Sequence, residues 1–171
     1  GMTDLPLLSE PNLQQQLVEI GYQGKKLEEL ENLSAAEKTN MLFIVQDPYT
    51  SYYDAKVVRD FVALTQKLGF EPILLPFKPN GKAMHIKGFL ARFSKTAKTQ
   101  AEFLNLIAKL NVPLVGVDSA IVLSYRDEYK EALGDSRGDF HVLTAHEWLT
   151  NQLESNTLQS AVKNIVKSDR T

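Results

Sequence analysis

The sequence predicts an α/β fold, a Rossmann-like open parallel sheet of about four strands in the order 2-1-3-4, with helices on both faces and a helical N-terminal lead-in. Three observations carry this. Short apolar runs, MLFIVQ (41–46), EPILLPF (71–77), LVGV (114–117) and FHVLT (140–144), alternate with longer segments of helical period. The first run is apolar without polar alternation, as a strand covered on both faces requires. Finally, 171 residues with 43% hydrophobic content and no low-complexity tract support one good core and not two.

The lead-in, residues 1–40, comes first. DLPLLSEPNLQQQL is punctuated by proline and then helical, and LEELENLSAAEKTN repeats Leu27, Leu30 and Leu33 at helical spacing. The α/β domain spans 41–153. After the first strand, Val57, Val58, Phe61, Val62, Thr65 and Leu68 form one stripe of a helix over about 52–68, with Gly69 where a left-handed C-terminal cap belongs. The second strand ends at the turn Lys78-Pro79-Asn80-Gly81. IKGFLARF and KTQAEFLNLIAKL read as helical, and Phe89 and Phe93, four apart, read as one buried helix face. AIVLSYRDEYKEAL follows the third strand and AHEWLTNQL the fourth, both helical. Parallel strands joined this way need right-handed crossovers. The tail, 154–171, is polar and reads as frayed.

Composition excludes several chemistries. There is no cysteine, so no disulfide framework, thiolate metal site or cysteine nucleophile resides in this chain. No apolar run approaches the roughly 20 residues of a transmembrane helix, and no basic-then-apolar signal segment opens the chain. A cytoplasmic location is expected. The net charge of −2 conceals a segregation: between Pro72 and Ala101 there is no acid but six cations, while acids gather in Glu28–Glu37 and Asp127–Asp139. One face is expected to be basic and another acidic.

In an open parallel sheet, ligands bind beyond the carboxyl ends of the strands where strand order reverses. The loop after the first strand, with Asp47, Tyr49, Thr50, Ser51 and Tyr52, and Asp118-Ser119 after the third would border that crevice. The same residues also suit a plainer role. Ser51-Tyr52-Tyr53-Asp54 fits an aspartate form of the capping box, Thr50 or Ser51 can cap a helix, and Asp47-Pro48 opens turns.

Other signals are weaker. His85, His141 and His146 lack metal-ligand spacing. Gly116-Val117-Asp118-Ser119-Ala120 lacks the second glycine of a nucleophile elbow, so Ser119 reads as a helix cap. No glycine-rich dinucleotide or P-loop motif occurs. The basic segment interleaves phenylalanines, but without a basic excess over the whole chain nucleic acid is not an expected partner. No set of residues combines an acid, a base and a nucleophile, so no catalytic residue is assigned.

The phrases DLPLLSEPNLQQQL, VQDPYTSYYDAKVVRDFVALTQKLGF, LLPFKPNGKAMHIKGFLARFSKTA and VGVDSAIVLSYRDEYKEALGDSRGDFHVL, from about Asp4 to Leu149, resemble the C-terminal iron–sulfur region of large bacterial FAD-linked oxidases of the D-lactate, glycolate or D-2-hydroxyglutarate dehydrogenase type. The resemblance implies a cysteine-rich, heterodisulfide-reductase-like region that follows a flavin domain and ferredoxin-like cluster motifs. Related halves carry a Ser-Cys pair at the start of the helix ending in a basic-acidic-Glu-Tyr phrase; here Ser119-Ala120 leads to Arg126-Asp127-Glu128-Tyr129. Iron–sulfur clusters need thiolates. FAD and 4Fe-4S clusters are thus implied for the parent enzyme and none for these residues, and the expected partners are the flavin and cluster-bearing parts.

Two functions follow as expectations. In one, the chain is a non-catalytic structural and docking segment of an FAD and iron–sulfur enzyme oxidising a D-2-hydroxy acid, with Lys78, Lys82, His85, Lys87 and Arg92 as the docking face. In the other, it is a self-standing α/β module that holds a small anion at the strand ends, around Tyr49, Ser51, Asp118 and Ser119 with His85 or Lys82.

Overall fold

The computed structural model of the chain describes residues 7–155 and 157–169. Residues 1–6 of the expected lead-in and 156, 170 and 171 of the expected tail lie outside the described residues. The elements run α1 (Leu13–Glu19), α2 (Leu27–Leu30), β1 (Met41–Val45), α3 (Pro48–Tyr53), α4 (Ala55–Lys67), β2 (Glu71–Leu74), α5 (Lys82–Ile86) and α6 (Leu90–Ala108). They continue with β3 (Leu114–Gly116), α7 (Ser119–Arg126), α8 (Glu128–Leu133), a 3-10 turn (Gly134–Arg137), β4 (Val142–Thr144), α9 (Ala145–Glu154) and α10 (Thr157–Ser168). The four strands form one sheet of order β2-β1-β3-β4, every pair parallel. The order is the one the sequence predicts.

The two-residue period of β1 explains its unbroken apolar run. Met41, Phe43 and Val45 face one layer with Phe93, Ala97, Ala101 and Leu104 of α6 and Val122, Tyr125 and Tyr129 of α7 and α8. Leu42 and Ile44 face the other, where Leu13 and Leu17 of α1, Val58, Phe61 and Val62 of α4, Phe70 and Trp148 close over them. Trp148 meets Phe70 and Phe61 edge-on, with ring centroids 4.9 and 6.1 Å apart. At the sheet's centre Gly116 lies so close under α7 and β4 that a Cβ there would overlap Val122 and touch Val142.

Lead-in and domain are tied by specific bonds. Asn12 and Gln15 form a capping box that starts α1. Ser9 Oγ accepts the N–H of Ala55 at 3.1 Å, and the Tyr22 hydroxyl accepts the N–H of Leu74 at 2.9 Å. Gly69, at φ +88°, ends the α4 segment in the left-handed conformation its position predicts.

Three details differ from the sequence reading. The helix expected over about 52–68 is two helices, α3 and α4, broken at Asp54. The two helical stretches around Phe93 and Leu104 are largely one helix, α6, because Phe93, Ala97, Gln100, Ala101 and Leu104 form a continuous buried stripe through its polar middle. Phe89 does not share that stripe: Phe93 is buried at 1% exposure, whereas Phe89, just before α6, is 52% exposed. In the stretch read as a frayed tail lies α10.

β4 passes into α9 through a second capping box, Thr144 with Glu147, and Arg126 Nη2 donates to both Glu147 Oε1 and the Val142 carbonyl. The Arg126 bond first, then the Thr144 backbone N–H, holds the Glu147 carboxyl down at about 2. A depressed folded-state value stabilises above the unfolded value and loses that contribution as pH falls through the folded one. The thermal midpoint of Glu147→Gln is therefore expected to lie below wild type at neutral pH, the gap closing as pH falls from the ordinary 4.5 toward 2. A gap independent of pH in acid unfolding scans would show that the ionised carboxylate contributes nothing.

Candidate functional site

Asp47, two residues beyond β1, caps α3, accepting the Thr50 N–H at 3.1 Å while only 6% exposed. Thr50 and Ser51 lie inside α3, buried, and cap nothing. Ser51 Oγ donates to Gln46 Oε1 at 3.1 Å, and Gln46 Nε2 donates to the Leu75 carbonyl at 2.9 Å, stitching the end of β1 to the end of β2. The first N–H of α4 is taken by Ser9, 46 residues away, so no local capping motif was needed at 51–54. The hydroxyls of this loop thus divide: Thr50 and Ser51 are internal, and Tyr49, Tyr52 and Tyr53 face solvent. Those three tyrosines pair in rings, Tyr49 with Tyr53 at 5.4 Å and Tyr52 with Phe77 at 5.5 Å.

Asp118, after β3, caps α7 by accepting the N–H groups of Ala120 and Ile121 at 2.8 and 3.3 Å. Ser119, expected to be the cap, is instead the first helical residue and is exposed. Burial, against the lowering bond from Gln100 Nε2 at 3.3 Å and with a smaller push from the charge of Asp47, raises the Tyr125 hydroxyl to about 12, so it stays protonated.

An open groove of about 850 Å³ lies between the lead-in and the carboxyl ends of β1 and β2. Leu8 to Leu13 form one wall, with Gln46, Ser51, Tyr52, Leu74 and Phe77 across from it. Of the crevice candidates, Ser51 and Tyr52 line this groove; Asp47, Tyr49, Thr50, Asp118 and Ser119 do not. Among the described residues, its sole charged lining residue is Glu10. A negative carboxylate beside neutral amides and rings does not fit the pyrophosphate of a flavin dinucleotide. Ser9, Gln46 and Phe77 escape sequence reasoning because the lead-in, and not the strand order, creates this groove.

The docking candidates also separate. Lys82 Nζ bonds Glu128 Oε1, His85 Nδ1 lies 3.6 Å from the same oxygen, and Ser124 Oγ donates to Glu128 Oε2. Burial opposes the charge on Glu128, but the bonds from Lys82 and Ser124 outweigh it and hold the carboxyl below its ordinary value. This knot fastens α5 to α7 and α8. It is no hydrolase triad, since Ser124 is 3% exposed and its hydroxyl faces the carboxylate and not an imidazole base. Lys78 Nζ sits 4.7 Å over the Phe103 ring, and the Arg92 guanidinium 5.7 Å from the centre of the Phe89 ring. Lys87 and Arg92 are exposed, and among the described residues neither forms an ion pair with a carboxylate.

Among the described residues no group of three or more His, Asp or Glu side chains could hold a metal ion, and the chain has no cysteine for an iron–sulfur cluster. Among those residues, too, no helix is long and apolar enough to cross a membrane.

No family model and no solved structure matches the chain. It is 80% identical over all 171 residues to a D-2-hydroxyglutarate dehydrogenase of Haemophilus influenzae, covering 17% of that relative. It is 64% identical over 155 residues to the enzyme of that name from Escherichia coli and 37% identical over 153 residues to that of Pseudomonas putida, covering 91% and 90% of this chain and 15% of each relative. The chain thus spans 15–17% of the length of the curated relatives it matches.

Proposed function

We propose that the chain is a non-catalytic structural and docking segment of an oxidoreductase that oxidises D-2-hydroxyglutarate, a parent whose FAD and iron–sulfur clusters are carried by other parts of the polypeptide. The observation that carries this is the 80% identity maintained over all 171 residues against a relative of which the chain makes up 17%.

The residues themselves support the non-catalytic half of the reading. The polar groups at the strand ends are consumed in caps and stitches, Asp47 and Asp118 on helix N–H groups and Ser51 on Gln46. The chain has no thiolate for a cluster, and among the described residues the groove has no cation for a flavin pyrophosphate. The chain's contribution to the reaction is then to hold its neighbours in register, in the cytoplasm.

Purified residues 1–171 are expected to be colourless and to leave D-2-hydroxyglutarate unchanged with an artificial electron acceptor, while the full-length protein carrying them is coloured and active. Visible flavin or cluster absorption that co-purifies with the short chain, or no oxidation by the long one, overturns the reading.

A further inference from the structure

We infer that residues 86–92, IKGFLAR, form a rigid plug that seats in an apolar recess with an acidic rim on another part of the same long polypeptide; this deepens the docking reading and rests on it. All seven residues are exposed. Three are large and apolar, with Ile86 at 73%, Phe89 at 52% and Leu90 at 59% exposure. Single exposed apolar side chains need no explanation, but three within five residues at the junction of two helices make a patch, and such patches mark contact surfaces.

The plug is held from behind. Lys82 and His85 fasten α5 to Glu128, Phe93 is buried under the first turn of α6, and Gly88 at φ +74° makes the corner between them. The Phe89 N–H bonds the Met84 carbonyl at 3.0 Å, and the Phe93 N–H bonds the Phe89 carbonyl at 2.9 Å. A loop so fixed loses little conformational freedom on docking, which is how preorganisation raises affinity.

Charge chooses the partner. Lys87 and Arg92 bracket Phe89 and Leu90 within a stretch, 72–101, that contains no acid, so a complementary rim is acidic. Arg92 over Phe89 is the Arg-aromatic composition of interface hot spots. A two-fold pair of copies would oppose these cations with themselves. A bilayer is the poorer match as well, because three side chains in one corner fall short of the apolar face of an interfacial helix. The relatives, of which this chain is 15–17%, contain ample further polypeptide to supply the recess.

The test is photo-crosslinking in the full-length protein, with p-benzoylphenylalanine in place of Phe89, in place of Ile86, and, as a control, in place of exposed Lys130. Expected are crosslinks from 86 and 89, absent from 130, to one apolar, acid-flanked segment outside residues 1–171, reduced by added salt and by Lys87→Glu with Arg92→Glu. Crosslinks between copies of 86–92, crosslinks to lipid when anionic phosphatidylserine vesicles are added, crosslinks unaffected by both charge reversal and salt, or no crosslinks at all overturn the inference. D-2-hydroxyglutarate oxidation by the same preparation reports separately on the dehydrogenase reading: active protein without these crosslinks sinks the plug alone, and inactive protein with them sinks the enzyme assignment alone.

Discussion

Replacing Trp148 with alanine is expected to remove about 3–5 kcal/mol of stability, seen as a lower urea midpoint with an unchanged slope. Trp148 is 1% exposed and fills the layer formed by α1, α4 and α9 over Leu42, Ile44 and Val115. Its neighbours are poorly placed to collapse into the space, since Phe61 and Phe70 meet it edge-on from two different elements. It is also the single tryptophan, so wild-type emission reports directly on this layer. A loss below about 1 kcal/mol would mean that the lead-in moves in to close the cavity.

The opposite layer has its counterpart in Tyr129, fully buried, edge-on to Tyr125 at 5.0 Å and to Phe93 at 5.8 Å. Burial drives its hydroxyl far above the ordinary value, so it stays protonated and donates to the Asn80 carbonyl. Tyr129→Ala should cost about 3–5 kcal/mol, as other buried aromatics do. Tyr129→Phe keeps the ring and strands the buried carbonyl, which costs about 1–3 kcal/mol. Equal losses in the two variants, measured by urea unfolding, would place all of the effect in the hydroxyl and none in packing.

Strands and layers were legible from patterns within one segment, and sheet order from the alternation of strands with helices along the chain. A five-residue apolar run with period-two burial is visible in MLFIV itself, and Gly69 marks its helix end without help from the rest of the chain. Side-chain contacts between distant segments were not legible. Ser9 supplies the start of α4, Glu128 takes Lys82 and His85 out of the docking face, and the groove at Gln46 needs the lead-in as its wall. Phe89 and Phe93 show the limit well. Their spacing of four fits one helix face, yet the helix begins at Leu90, so the first ring lies outside the periodicity that buries the second.

The bond between Tyr22 and Leu74 has a consequence for solubility. β2 is a border strand, open to recruitment by a strand from another molecule. Glu71 and Leu75 donate inward, to the carbonyls of Asn40 and Ile44, so by the alternation of a strand the outward donor positions are 72 and 74. Position 72 is proline and has no N–H to offer, and the N–H of Leu74 is already taken by the Tyr22 hydroxyl. Intermolecular β-augmentation at this border would find no free donor in β2, which makes the lead-in a guard against aggregation.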